Sequence, residues 1–94
     1  MKKTFALTHP KIKLPRLIES YKHEVKKYLK RERNKNLPDG VDYWDFDCKY
    51  GATEAMAEVI HLSEINKYMD EAENQKLESF YLEILAKPGI RNKK

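Results

Sequence analysis

The chain has 94 residues, of which 36% are charged and 40% are hydrophobic, and its formal net charge at pH 7 is +4. This length predicts a single domain over residues 1–94 with a basic tail at residues 88–94, and the six Tyr, three Phe and one Trp argue against a disordered protein. No apolar run approaches the roughly 20 residues that cross a bilayer, which excludes a membrane-spanning protein. The single cysteine, Cys48, cannot form an internal disulfide and therefore favours a reducing cytoplasm.

Charge is segregated along the chain into a basic block, an acidic block and a short basic end. Residues 1–36 hold 12 Lys and Arg against three acids, residues 37–86 hold three against 12, and residues 87–94 hold four Lys and Arg. Such asymmetry suggests either an external polyanion or charge that is complemented within the molecule or its assembly.

The first third of the chain predicts a strand followed by a long helix. Residues 3–7 alternate, with the two large apolar side chains on one side. Over residues 15–35, apolar side chains recur at the i, i+3, i+4 and i+7 spacing of an amphipathic helix. Pro15 fits the first turn, because its missing N–H costs nothing there, and the Pro and Gly within residues 37–40 end the helix.

The middle of the chain predicts a second strand over residues 41–51. Trp44 and Phe46 alternate with Asp45 and Asp47, so one face of this strand is aromatic and the other is charged. The strand is expected to end in a turn at its C-terminal glycine.

Residues 55–62 fit two structures. In one, a strand over residues 57–62 precedes a helix that Ser63 caps, and in the other a single helix runs over residues 53–74. An adjacent pair of β-branched residues, and the need of the preceding strand for an antiparallel neighbour, favour the strand.

A last strand is predicted over residues 79–87, ending at Pro88 and Gly89. The resulting β-α-β-β-α-β order predicts an α+β protein whose four-stranded antiparallel sheet carries two helices on one face, in the ferredoxin-like arrangement. The expected core combines the apolar stripes of both helices with Phe5, Leu7, Trp44, Phe46, Cys48, Leu82 and Ile84.

Three stretches of the chain are similar to a known family. They read FALTHPK at residues 5–11, DYWDFDCKYG at residues 42–51 and FYLEILAKPG at residues 80–89, and they cover about a third of the sequence. Through them the chain resembles a family of small uncharacterised bacterial proteins, catalogued as a domain of unknown function. The resemblance implies a bacterial, cytosolic source and assigns no catalytic or binding residue.

The cationic face of the first helix is the leading candidate for a binding site. Like charges four residues apart destabilise a helix by roughly 0.2–0.5 kcal/mol per pair, and phosphate is a partner that relieves them. The candidate phosphate contacts on this helix and in the tail are Lys22, Lys26, Lys27, Lys30, Arg31, Arg33, Arg91, Lys93 and Lys94. Two alternatives remain open: acids of the second helix, such as Asp70 and Glu71, supply the partners, or the face is simply solvated.

The open face of the sheet is a weaker candidate. Asp45 and Asp47 project from one face of a strand, and Glu83 or Glu58 could join them as ligands of Mg²⁺ or Mn²⁺ or as acid–base groups. The alternative is a solvated face with cross-strand pairs to lysines. RNA-binding sheets of this topology stack bases on aromatic residues of their central strands, and the third strand here has none, so nucleic acid is expected on the first helix and the basic tail, residues 87–94, and not on the sheet.

The histidines and the cysteine do not predict a metal or cofactor site. The spacings of His9, His23, His61 and Cys48 match no zinc pattern. Cys48 alternates with aromatic residues, which favours a core position over a nucleophile. No cofactor is predicted, and a non-enzymatic protein is favoured over an enzyme.

The charge pattern leads to a small cytoplasmic binding protein whose basic helix contacts nucleic acid or an acidic protein. The alternative is a structural protein that forms homodimers and satisfies its charges within the assembly. A third, weaker hypothesis is a divalent-metal-dependent enzyme that uses Asp45, Asp47 and Glu83.

Overall fold

The computed structural model describes residues 1–90 as a four-stranded antiparallel sheet with two α-helices. The α+β class and the βαββαβ chain order are therefore confirmed. The strands and helices are β1 (Lys2–Ala6), α1 (Leu14–Arg33), β2 (Tyr43–Gly51), β3 (Glu58–Ile60), α2 (Ile65–Asn74) and β4 (Ser79–Gly89). Two 3₁₀ turns, Glu54–Met56 and Leu62–Glu64, flank β3. Of the predicted basic tail, Arg91, Lys93 and Lys94 lie outside the described residues.

The spatial order of the sheet is β1-β4-β2-β3, so β4 and β2 are its central strands. Because all neighbours are antiparallel, β1 and β2 run parallel on either side of β4, and β3 and β4 run parallel on either side of β2. Each helix therefore joins two parallel strands across one intervening strand, which is the split-βαβ connection. The full ferredoxin-like spatial order is not confirmed. The third strand was predicted over residues 57–62, but β3 has only three residues. It lies at the edge of the sheet and not in the centre, where RNA-binding sheets carry their aromatic residues.

The core lies between the two helices and one face of the sheet. Cross-strand register places Phe5 beside Phe80 and Cys48 beside Ile84, and the rings of Phe5 and Phe80 stack with centroids 5.1 Å apart. The predicted core is confirmed except for Trp44, which is half-buried at the margin. The buried cluster comprises Phe5, Leu7, Ile18, Val25, Phe46, Cys48, Ile65, Met69, Ala72, Phe80, Leu82 and Ile84.

Of the two structures considered for residues 55–62, the strand followed by a helix is confirmed, but the predicted cap is wrong. Ser63 lies inside the second 3₁₀ turn, and His61 precedes that turn as its N-cap. The Nδ1 atom of His61 accepts a hydrogen bond from the Ser63 N–H at 3.1 Å, and the Glu64 carboxylate accepts one from the His61 N–H at 3.1 Å. These two bonds form a reciprocal capping box, which fixes how the chain enters α2.

The last strand runs to Gly89, two residues beyond its predicted end. β1 pairs with residues 79–83 of β4, so the later residues of β4 have a neighbouring strand, β2, on one side only. The missing N–H of Pro88 is tolerated in such a position, because no ladder hydrogen bond is required on the open side.

The face of the sheet away from the helices is partly covered at one end. Tyr81 of β4 lies opposite Gly51 of β2, and the Glu54–Met56 turn folds back against this glycine. A Cβ atom on Gly51 would lie 2.7 Å from the backbone of Ala57, so the close approach requires a glycine. Tyr81 is buried on this face, and its hydroxyl donates to the Glu83 carboxylate at 2.8 Å.

Candidate anion-binding groove

A groove of about 750 Å³ runs between α1 and the turn that leads into α2. Its α1 wall carries a row of cations with the carboxylate of Glu19 at one end, its opposite wall carries the uncharged polar residues Ser63 and Asn66, and its floor is aliphatic. We call it the basic groove, and its principal residues are Lys22, Val25, Lys26, Leu29, Lys30, Arg33, Leu62, Ser63, Ile65 and Asn66.

The helical repeat explains the row of cations on the α1 wall. Lys22, Lys26 and Lys30 are four residues apart, which puts them on one helix face at intervals of about 6 Å along the axis. Arg33 continues the row by one turn, and its guanidinium lies 5.5 Å from the centre of the Phe46 ring. This cation–π contact holds the Arg33 head group at the end of the groove.

Lys22 differs from the other cations of the row because it has acidic partners within the chain. Its ammonium lies 2.6 Å from the Asp70 carboxylate of α2 and 3.8 Å from that of Glu19. The hydrogen bond to Asp70 raises the pKa of Lys22 above its usual value. The alternative in which acids of the second helix supply the partners therefore applies to Lys22.

In the described part of the chain, the remaining cations of the groove have no such partner. Within residues 1–90, no carboxylate lies within 4.0 Å of the charged groups of Lys26, Lys30 or Arg33. Each of the three acids of the basic block forms an ion pair with another lysine, in the pairs Glu19–Lys22, Glu24–Lys3 and Glu32–Lys35, and of these acids Glu19 lines the groove itself. The groove therefore concentrates positive charge that the described part of the chain does not neutralise.

The six cationic candidates on α1 do not share one surface. Lys22, Lys26, Lys30 and Arg33 line the groove, whereas Lys27 and Arg31 lie outside it on a neighbouring face of the helix. Arg31 lies 5.8 Å from the centre of the Tyr28 ring, away from the groove. Helical periodicity placed all six on adjacent faces, but it could not identify which of those faces borders another element.

The opposite wall of the groove is ordered by the His61 cap. Nδ1 of His61 accepts a hydrogen bond from the Ser63 N–H, so this nitrogen carries no proton. It therefore also accepts a hydrogen bond from the Ser63 hydroxyl, whose oxygen lies 2.7 Å away. The Ser63 side chain is thereby held in place where it lines the groove. The sequence pattern did not predict this cap because His is not among the common N-cap residues, although Glu64 at the third position of the turn is a signal of a capping box.

The candidate metal ligands on the open sheet face are separated by lysines. Lys87, opposite Asp45 in the register, lies 2.7 Å from Asp47 and 3.9 Å from Asp45. Its hydrogen bond to Asp47 raises the pKa of Lys87. Glu83 lies opposite Lys49 and accepts the Tyr81 hydroxyl. Among the described residues, no group of three His, Cys, Asp or Glu is arranged to hold a metal ion.

Glu58 does not join those carboxylates, because it lies opposite Tyr50 on the helix-covered side of the sheet. There it lines a second cavity, of about 260 Å³, between β3 and α2. The rings of Tyr50 and Tyr68 lie in this cavity with centroids 4.9 Å apart, and Glu71 adds a second carboxylate. We call this surface the acidic edge, and its principal residues are Tyr50, Met56, Glu58, Val59, Tyr68 and Glu71.

The remaining titratable candidates have structural roles. Cys48 is buried in the core, and burial raises the pKa of its thiol to about 11, which keeps it protonated near neutral pH. Nδ1 of His9 accepts hydrogen bonds from the backbone N–H groups of Lys11 and Ile12, which orders the loop before α1. His23 lines the basic groove, as its position on α1 allows.

Comparison with known proteins assigns the whole chain. A family model described as a family of unknown function, DUF6172, matches residues 1–94. The chain belongs to this family. No curated protein and no solved structure matches it. In residues 1–90, neither helix combines the length and apolar character needed to cross a membrane.

Proposed function

We propose that the protein is a non-enzymatic binding protein that holds an anionic partner, nucleic acid foremost, in the basic groove. The observation that carries this proposal is the row of Lys26, Lys30 and Arg33 on one wall of the groove, where no carboxylate of residues 1–90 lies within 4.0 Å of their charged groups. Glu19 also lines the groove, but its ion pair is with Lys22. An isolated row of like charges on a helix is unfavourable by a few tenths of a kcal/mol per pair, roughly 0.2–0.5, and a bound phosphate relieves it.

Phosphate contacts predict a specific salt dependence of binding. Each neutralised phosphate releases counterions, and the logarithm of the binding constant falls with the logarithm of salt concentration by about 0.9 per phosphate. Three phosphate contacts, from Lys26, Lys30 and Arg33, would give a log–log salt slope of about −3. The slope is steeper if other candidates also contact phosphate, namely Lys27, Arg31, Arg91, Lys93 and Lys94. Ser63 and Asn66 supply uncharged hydrogen-bonding groups on the other wall.

A bacterial cytoplasmic location belongs to the same proposal. The lone thiol of Cys48, buried and unpaired with another cysteine, supports a reducing compartment. The resemblance to bacterial proteins supports the source.

The test measures binding of a fluorescently labelled DNA oligonucleotide, single-stranded and duplex, between about 50 and 200 mM salt. The variant Lys26→Gln/Lys30→Gln removes two groove cations, and it is expected to lower the affinity and reduce the slope from about −3 to about −1. The matched control, Lys27→Gln/Arg31→Gln, removes the same charge from the neighbouring face and is expected to change binding less.

Two results would contradict the proposal. Wild-type affinity that is flat across this salt range would exclude phosphate contacts altogether. Equal losses in the groove variant and its control would show that the anion does not occupy the groove, because only one of the two variants changes it.

A further inference from the structure

We infer that the basic groove and the acidic edge are complementary surfaces, and that the acidic edge of one copy of this chain docks in the basic groove of a second copy. The inference goes beyond the proposed function, because it names a different occupant of the groove. It rests on the charge and on the apolar surface of the two cavities.

The acidic edge presents negative charge that no cation of residues 1–90 pairs with. No cation is among the residues that line its cavity, and no Lys or Arg of residues 1–90 lies within 4.0 Å of the Glu58 or Glu71 carboxylate. Charge of this kind attracts Lys26 and Lys30, which lack carboxylate partners in the same described range.

The acidic edge also carries strongly exposed apolar residues. Met56 is 65% exposed and lines the same cavity as Glu58. Val59, 78% exposed, also borders this cavity, although its position opposite Lys49 puts its side chain on the other face of β3 from Glu58. Exposed apolar residues next to one another commonly mark an interaction site. A partner for this edge therefore needs an apolar surface as well as positive charge.

The basic groove supplies both features. Its floor is formed by aliphatic side chains, Leu29 and Leu62 among them, beneath the rim of lysines. An unbranched, adaptable side chain such as Met56 packs well on an aliphatic floor. The half-buried rings of Tyr50 and Tyr68, which pack on each other, add apolar surface to the edge.

Every copy carries both surfaces, which determines the assembly that follows. Two copies related by a two-fold axis can make the contact twice and close as a dimer. The charges that the described residues leave unneutralised are then paired between copies. Since the dimer uses Lys26 and Lys30, self-association and binding of a polyanion compete for the same side chains.

Sedimentation velocity of the full chain, over a wide range of protein concentration at low and high salt, tests the inference through charge reversal. Wild type is expected to associate at low salt and to dissociate as salt rises. Lys26→Glu/Lys30→Glu and Glu58→Lys/Glu71→Lys are each expected to abolish association when studied alone. An equimolar mixture of these two variants is expected to form a one-to-one complex, because each reversed surface then meets its opposite charge.

Lys27→Glu/Arg31→Glu, which reverses the same charge outside the groove, is the matched control and is expected to associate like wild type. Thermal unfolding of each variant verifies folding, and the neutral pairs Lys26→Gln/Lys30→Gln and Glu58→Gln/Glu71→Gln replace any reversal that does not fold. Monomeric wild type at every concentration and low salt would overturn the inference. So would a mixture that remains monomeric while wild type associates, because another surface would then be responsible.

The same proteins separate this inference from the proposed function. Glu58→Lys/Glu71→Lys keeps the groove intact, so it is expected to bind the labelled oligonucleotide at least as tightly as wild type. If the protein binds the oligonucleotide but the mixture of variants forms no complex, the docking of a second copy is contradicted and the proposed function is not. If the mixture forms a complex but the protein does not bind the oligonucleotide, the docking of a second copy is supported and only the proposed function is contradicted.

Discussion

The Lys22 ammonium lies 2.6 Å from the Asp70 carboxylate, so an ion pair joins α1 to α2 at one end of the basic groove. Because Lys22 is paired with Asp70, this first cation of the row is less available to bind an external anion. It also holds together the two helices whose separation forms the groove. One contact therefore affects both the stability of the fold and the charge of the candidate site.

We predict that this pair contributes little to stability. The Lys22 and Asp70 side chains are 21% and 55% exposed, and partly exposed ion pairs typically couple by about 0.2–1 kcal/mol. A double-mutant cycle with Lys22→Ala and Asp70→Ala, followed by urea unfolding, measures the coupling energy. The value should shrink as salt is added, and a coupling that is insensitive to salt would contradict the assignment of an exposed ion pair.

The same pair predicts a gain of binding on mutation. Asp70→Asn leaves the shape of the side chain but removes the nearer carboxylate from Lys22, which then keeps only the more distant Glu19, at 3.8 Å, and becomes available to the row in the groove. If a nucleic acid occupies the groove, the affinity rises and the salt slope steepens by about 0.9. Glu71→Gln, which removes one charge from the neighbouring residue outside the groove, is the control and should leave the slope unchanged.

The sequence was sufficient for those parts of the fold that depend on local periodicity. The alternation of Trp44 and Phe46 with Asp45 and Asp47 predicts β2, and the apolar stripe that includes Ile18 and Val25 predicts α1. Both signals are strong because a single face of each element is buried. The core followed from the same pattern.

The features that the sequence did not predict depend on what lies opposite a residue. Pro88 was expected to end β4, but the strand continues because β1 does not extend that far. Lys26 and Lys27 are adjacent and chemically identical, yet only Lys26 borders the groove. The acidic edge depends on Tyr50 and Tyr68 meeting across β2 and α2, which no local pattern reports.

We predict that two glycines differ in their tolerance of a side chain. A Cβ on Gly51 would meet the backbone of Ala57 at 2.7 Å, and backbone cannot move away cheaply, so Gly51→Ala is expected to destabilise the protein by roughly 1–3 kcal/mol. At Gly89, the corresponding Cβ would meet the ring of Tyr43, a side chain that can rotate aside. Gly89→Ala should therefore cost less, as urea unfolding of both variants would measure, and equal losses would contradict this explanation.

The His61 cap gives a prediction for the opposite wall of the groove. His61→Ala removes the acceptor for the Ser63 N–H and is expected to lower the free energy of unfolding by about 1 kcal/mol, as for other N-caps. His61→Asn restores a side-chain acceptor of the kind common at this position and should recover most of the loss. Chemical denaturation of the three proteins provides the comparison, and failure of Asn to rescue would mean that the imidazole acts through packing instead.

Cys48 predicts a loss of stability at alkaline pH. Burial, reinforced by the charges of Asp47 and Asp45, raises the pKa of its thiol from 9.0 to about 11 in the folded protein. The unfolded chain therefore ionises first as pH rises through 9, so this contribution to stability is complete below pH 9 and declines toward pH 11. Cys48→Ala is expected to be less stable than wild type at every pH, because it leaves a cavity. Since this variant lacks the thiol, its stability should fall less steeply than that of wild type between pH 9 and 10. Tyrosines titrate from a higher starting pKa and contribute equally to both proteins, so parallel pH profiles from urea unfolding would show that the buried thiol is not the group responsible.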